Sequence, residues 1–355
     1  MQSEHERDEL LEVREELRKL RREVDEIRSA LARRAQQRAS KRLARAGRRM
    51  RWWVTPKIGK LRHHPPETLT VPRSYARTTP PDPSPSVTIV TPSFRQARFL
   101  GRTLRSVLDQ GYPALEYVVQ DGGSEDGTVE VIRAHEGSLA RWESAPDGGQ
   151  ANAINLGFAG TSGEIMAYLN SDDILLPGAL AYASRYLASH PDVDAVYGQR
   201  VLINERGEKI GVWVTPPHDE HTLQLVDFVP QETLFWRRRL WERCGGYVDE
   251  RLEYAIDWEL LLRFQRERAR IVRLPRFMGG FRVHEEQKTT TDLAVGLEES
   301  ERLRERVLGE AIGHEQAEQE VRPYLRRHLV HHAAHRAAVR LPLPRIEVEA
   351  APLEG

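Results

Sequence analysis

Between residues 8 and 32 the apolar side chains repeat every seven positions. Leu10, Leu17, Val24 and Leu31 share one position of the repeat, and Val13, Leu20 and Ile27 follow the first three of them by three residues. Such a seam predicts a coiled-coil helix, assigned to residues 1–46. Glu9, Glu16 and Glu23 flank the seam on one side and Arg14, Arg21 and Arg28 on the other. Opposite charges at these flanks favour self-association over a lone amphipathic helix. Residues 8–32 are therefore expected to make a homo-oligomer of unspecified number.

From Ser86 onward the period shortens. Val87–Thr91 reads as a β-branched strand, followed by a loop at Pro92-Ser93-Phe94-Arg95-Gln96. Phe99, Thr103, Leu104, Val107 and Leu108 then recur at helical spacing until Gly111-Tyr112-Pro113. A second strand, Glu116–Gln120, runs into a Gly-rich turn and a helix from about Thr128. Strand–helix–strand–helix predicts an α/β fold with a mostly parallel sheet flanked by helices. Further on, the pattern predicts a helix at Ala151–Ala159 and, at the start of the stretch Ile165–Ile174, a strand of four or five apolar residues buried on both faces. A helix to about Ser189, a strand at Val193–Tyr197 and a hairpin over Val201–Val214 complete that stretch. Another strand is expected at Thr233–Trp236, before a short basic helix.

Composition adds boundaries. The 53 basic and 53 acidic side chains cancel, so no global field points to nucleic acid. Locally, Arg28 to Arg62 carries no acid, and Trp52 and Trp53 sit beside Arg48, Arg49 and Arg51. Tryptophan next to a polybasic run suits an anionic membrane surface, so residues 33–62 are a candidate peripheral contact; a solvated linker is the alternative. Residues 47–85 read as a basic, then Pro-rich linker. The main domain is placed at 86–295, and residues 296–355 at a helical or mobile tail with histidines at His328, His331, His332 and His335. A lone Cys244 excludes an internal disulfide, and no apolar run reaches spanning length. A cytoplasmic protein, at most peripheral on the inner membrane face, is expected.

Candidate chemistry gathers at the end of the strand beginning at Ile165, in Asn170-Ser171-Asp172-Asp173. Open α/β sheets bind ligands outside the carboxyl ends of their strands. Two carboxylates there suit Mg²⁺ or Mn²⁺ and a diphosphate; a solvated turn capping the next helix is the competing reading. Asp121 either meets a pyrimidine N–H or braces its own turn.

Four motifs then occur in order: Pro92-Ser93-Phe94-Arg95-Gln96, Gln120-Asp121-Gly122-Gly123-Ser124-Glu125-Asp126-Gly127-Thr128, Asp147-Gly148-Gly149-Gln150-Ala151-Asn152-Ala153 and Leu169-Asn170-Ser171-Asp172-Asp173. Over about residues 86–290 the chain resembles the family 2 glycosyltransferases. The resemblance implies a GT-A fold and an inverting enzyme acting on nucleotide sugars, usually with a divalent metal. UDP- or dTDP-sugars are the expected donors, and a hydroxyl on a glycan or lipid-linked glycan the expected acceptor. By position, Pro92 and Phe94 would line the base pocket and Asp121 would hold the base. Asp172 and Asp173 would serve metal and diphosphate. Asn170 replaces the first acid of the commoner Asp-x-Asp pattern, leaving an amide for a ribose hydroxyl or a metal-bound water.

The later segment resembles the family's acidic helix start, which makes Asp257 the expected base. An N-cap is its structural alternative, and Glu253 the competing carboxylate. Inversion needs one base for the acceptor proton. Gln231 and Glu232 are expected to touch the acceptor, His284 to ligate metal or diphosphate, and Arg282 or Lys288 to pair with phosphate oxygens. A nucleotidyltransferase would need a Gly- and Arg-rich phosphate loop after the first strand, which is missing here. A non-catalytic, nucleotide-sugar-binding scaffold oligomerised by the coiled coil remains the rival of a different class.

Overall fold

The computed structural model describes residues 64–285, 287, 293–338 and 343–350. The expected coiled coil, the Trp52–Trp53 stretch and Lys288 lie outside the described residues. Eleven strands are found among the described residues: Thr70–Pro72 (β1), Val87–Ser93 (β2), Leu115–Asp121 (β3), Arg141–Ser144 (β4), Ile165–Tyr168 (β5), Ile174–Leu175 (β6), Ala195–Ile203 (β7), Lys209–Trp213 (β8), Phe235–Arg237 (β9), Ile271–Arg282 (β10) and Arg345–Glu347 (β11). Nine form one sheet in the order β4-β3-β2-β5-β9-β7-β10-β6, with β8 paired to β7.

The first half of this sheet, β4-β3-β2-β5, is wholly parallel. The ladder of β7 with β10 is parallel as well, so parallel pairing carries most of the register. Antiparallel β9 joins the halves by pairing with both β5 and β7. All seven residues of β2 are buried, as expected of a strand covered on both faces. Ile89 faces a core with Leu100, Leu104, Val119 and Ile132. Val90, one residue on, joins Ile154, Phe158, Trp236, Trp241 and Phe264 on the opposite side.

Helix Ala97–Leu108 buries Phe99, Leu100, Leu104 and Val107, and ends where Gly111 takes φ 57° ahead of Pro113. The hairpin of β7 and β8 turns at Asn204-Glu205-Arg206-Gly207, closed by Gly207 N–H to the Asn204 carbonyl at 2.9 Å.

The apolar start of the stretch Ile165–Ile174 forms the buried strand β5, as expected. It ends after Tyr168 in a turn closed by Asp173 N–H to Asn170 O at 3.1 Å, and the chain resumes as β6 against β10. The reason is that Asn170, Ser171 and Asp172 offer polar groups where a continuous ladder would need apolar ones. β4 is an edge strand with an exposed–intermediate alternation, too polar to stand out by hydrophobicity.

The C-terminal segment stands on this body. Leu303 and Tyr324 join the core that holds Trp236, and Ile312, Ala317 and Val321 pack with Leu225. β11 pairs antiparallel with β1. Among the described residues no helix is long and apolar enough to cross a membrane.

Candidate active site

The carboxyl ends of β2, β3 and β5 open onto a cavity of about 790 Å³. Its lining includes Pro92, Phe94, Gly122, Pro146 and Asp147, then Asn170, Asp172 and Asp173, and from later in the chain Asp227, Gln231, Glu253 and Asp257. The site thus gathers residues separated by more than a hundred positions.

Phe94 is 55 % exposed, with the Arg95 guanidinium 5.1 Å from its ring centre. Gly122 keeps the wall beside it flat, because a Cβ there would sit 3.2 Å from Phe94 Cδ2. Gly123 has φ 80°, with Pro146 N only 3.1 Å from where its Cβ would lie, so this tight turn needs glycine. Asp121, expected to hold a base, is fully buried. Its oxygens accept from Ser124 N–H at 2.8 Å, Ser124 Oγ at 2.7 Å and Ser144 Oγ at 2.6 Å. The carboxylate therefore braces the Gly-rich turn, and Gly122 rather than Asp121 faces the cavity.

The acidic turn is held from two sides. Thr103 Oγ1 lies 2.8 Å from the Ser171 carbonyl and 2.7 Å from that of Asp173. Arg282, fully buried, donates to the carbonyls of Asp172 at 2.8 Å, Asn204 at 3.2 Å, Glu205 at 3.3 Å and Ala350 at 2.8 Å. Burial pulls its guanidinium down to about 10. With these donors committed to backbone carbonyls, Arg282 does not serve phosphate oxygens as expected from the sequence; it fixes the turn.

Within that turn Asp172 Oδ2 meets His284 Nε2 at 3.0 Å, and the imidazole packs against Phe99 with ring centres 5.0 Å apart. Asp173 is almost fully buried and accepts the Arg282 N–H at 2.9 Å. Burial, then the neighbouring charges of Asp172 and Glu232, push its carboxyl well above the usual range. Asn170 Oδ1 accepts from Gln150 Nε2 at 2.8 Å. No group of three or more His, Cys, Asp or Glu side chains poised for a metal occurs among the described residues.

Gln231 donates through Nε2 to the Tyr168 carbonyl at 2.8 Å, while its buried Oε1 has no partner among the described residues. Glu232 corrects an expectation. It is buried and pairs with Arg200 through contacts of 2.8 Å and 2.5 Å, and it is not among the residues that line the cavity, where Gln231 is. Its carboxylate needs the guanidinium, because an unpaired buried charge is costly.

Asp257 is not a helix cap. Ala255 holds that place in helix Ile256–Arg266, and Asp257 Oδ1 accepts from Trp258 N–H at 3.0 Å. The helix start is capped instead by Glu299, which accepts the N–H groups of Glu253, Tyr254 and Ala255 at 2.8, 2.9 and 3.0 Å. Burial raises the Asp257 carboxyl above its ordinary range. Sequence reasoning missed Asp227, which touches Asp257; its only signal was an acid four residues before Gln231.

Comparison with known proteins gives the same picture. The family model for glycosyl transferase family 2 matches residues 88–245. An uncharacterized glycosyltransferase of Mycobacterium tuberculosis is 33 % identical over 187 residues, spanning 51 % of this chain and 69 % of that protein. S. aureus TarS 1-349 in complex with UDP-GlcNAc superposes with a TM-score of 0.54 at 18 % identity, over 73 % of this chain and 76 % of the other. The mannosyltransferase PcManGT of Pyrobaculum calidifontis, solved with GDP-Man and Mn²⁺, gives 0.50 at 21 % identity over 84 % of both chains. These two share the GT-A fold of the present sheet. With four motifs in register around one cavity and this extent of shared sequence, the chain belongs to glycosyltransferase family 2.

Proposed function

We propose that the protein is an inverting glycosyltransferase that moves a sugar from a nucleotide-sugar donor to a hydroxyl acceptor in cell-surface polysaccharide or glycolipid assembly. One observation carries the reading. Asp172, paired to His284, and Asp257 line a single cavity with room for a sugar nucleotide.

In this reading Pro92 and Phe94 sandwich the nucleobase of a UDP- or dTDP-sugar over Gly122, with Asp121 setting the turn beneath. Asn170 faces the ribose. The Asp172 carboxylate and His284 imidazole are the pair that would hold a divalent cation such as Mn²⁺ or Mg²⁺. Such a cation, when bound, supplies charge relief to the departing diphosphate. Buried Asp173 holds the turn rather than offering a free carboxylate. Asp257 takes the acceptor proton, and its raised proton affinity makes it a stronger base than a free aspartate. Trp213, Tyr254 and Phe281 on the cavity wall give apolar faces for sugar rings, which supports a glycan acceptor, and Gln231 lines the same cavity.

The test is Asp257→Asn. Thermal-shift titration with UDP-sugars and Mn²⁺ is expected to show unchanged donor binding. Release of nucleoside diphosphate is expected to fall by about 10²–10⁴-fold, the usual contribution of a general base. Turnover at the native rate would reassign the base. Donor binding without turnover in the native protein, across a panel of glycan acceptors and water, would favour the binding scaffold.

A further inference from the structure

Asp227 and Asp257 come from segments thirty residues apart, yet their carboxyls meet in hydrogen-bonding contact on the cavity wall. The meeting is built from both sides. Asp227 follows helix Glu220–Leu225, and Trp258 Nε1 donates to the Leu223 carbonyl of that helix at 2.7 Å, so the turn bearing Asp257 is tied to the segment bearing Asp227. Each carboxylate also has one oxygen fixed by a backbone amide. Asp227 accepts from Val229 N–H at 3.1 Å and Asp257 from Trp258 N–H at 3.0 Å. These bonds orient the two side chains toward the same stretch of the cavity wall.

Two carboxylates cannot hold this contact while both are ionised; one proton must lie between them. We propose that Asp227 is the positioning partner of Asp257, and that the two carboxyls hold one proton between them and act as a single base toward the acceptor hydroxyl. The proposal rests on the reading of Asp257 as the base. In the transfer the acceptor O–H bond breaks and its proton passes to the free oxygen of the pair. The acceptor oxygen bonds to the anomeric carbon, and the bond from that carbon to the diphosphate oxygen breaks, its electron pair leaving with the nucleoside diphosphate. The pair begins with one proton and ends with two.

The surroundings agree. Asp227 is solvent-accessible at the cavity but crowded by protein. Crowding by protein first, and then the charge of Asp257, raise its carboxyl, an effect that its exposure to solvent moderates. The other charged or titratable groups felt by the pair are the Arg200 guanidinium on β7, which opposes the shift, Tyr168 at the end of β5, and Tyr197 on β7 facing Asp227. Arg200 is already bound to Glu232, so it tempers the pair without neutralising it.

The test uses the full chain with Asp227→Asn, Asp257→Asn and Asp227→Glu. Infrared difference spectra across pH 5–8 need no donor. The native protein is expected to show a protonated carboxyl that disappears in Asp227→Asn and in Asp257→Asn and returns in Asp227→Glu; buried Asp173 gives a constant background in all four. Hydrolysis of UDP-N-acetylglucosamine with Mn²⁺ is the second readout. In Asp227→Asn the rate is expected to fall by about 10–100-fold, a part of a general base's contribution, with the acidic limb of the pH profile moved to lower pH and donor affinity unchanged. An unchanged carboxyl band in Asp227→Asn would overturn the shared proton and leave the Asp257 reading standing. Native turnover in Asp257→Asn would overturn that reading and this role for Asp227 with it.

Discussion

Arg282→Lys is the perturbation whose size the structure sets most directly. The guanidinium reaches four backbone carbonyls, those of Asp172 and Ala350 at 2.8 Å and those of Asn204 and Glu205 at 3.2 and 3.3 Å. It stacks over Phe99 at 4.8 Å. A planar fork can serve acceptors on several sides at once; an ammonium offers its donors from one point. Lysine keeps the charge but leaves at least two of the carbonyls without a donor. At about 1.5–3 kcal/mol for each hydrogen bond to a charged group, the loss comes to about 4 kcal/mol. At about 2–4 °C per kcal/mol for domains of 150–250 residues, the melting temperature falls on the order of 10 °C. Glu349→Gln is the control on the same C-terminal strand segment. Glu349 is bridged to Arg102 at 3.0 Å but its side chain is 82 % exposed, so it is expected to cost under about 1 kcal/mol. Thermal melts by circular dichroism read both. If Arg282→Lys melts within about 2 °C of the native protein, the guanidinium is not the clamp joining the Asp172 turn to the last strand.

Two further outcomes are expected. Phe94→Ala removes an exposed ring, so the melting temperature should hold, while affinity for UDP by calorimetry drops by about 1–3 kcal/mol, the worth of one base–aromatic stack; unchanged affinity would move the base elsewhere. Acidification should loosen the C-terminal helices. Burial holds His218 and His328 at about 4 against an ordinary 6.5, and His335 likewise. Between pH 6.5 and 4 the unfolded chain therefore binds more protons than the folded one, and stability falls as pH falls. His328→Gln should flatten that slope in melts taken across the window; an equal slope would mean that other groups set it.

Much of this was legible along the chain because it rests on local rules. β2 and β3 announce themselves by β-branched runs, the helix Ala97–Leu108 by its period, and the turns by Gly and Pro. The order of four short motifs identified the family, and with it Asp172, His284 and Asp257 as candidates. β4 escaped because an edge strand carries little hydrophobic contrast. β6 escaped as well, because two apolar residues carry no periodicity.

What the linear order of residues could not supply is which polar groups spend themselves on one another. Asp121 and Glu232 look as available as Asp172 in a string of letters. Folding gives Asp121 to two serines and Glu232 to Arg200, and leaves Asp172 to His284. Arg282, another candidate for phosphate, becomes a clamp on backbone carbonyls, and Asp227 gains meaning only when a helix start thirty residues later arrives beside it. Periodicity and turn chemistry are properties of neighbours in sequence. Burial, charge pairing and the sharing of a proton are properties of neighbours in space, and those exist only once the sheet has closed around the cavity.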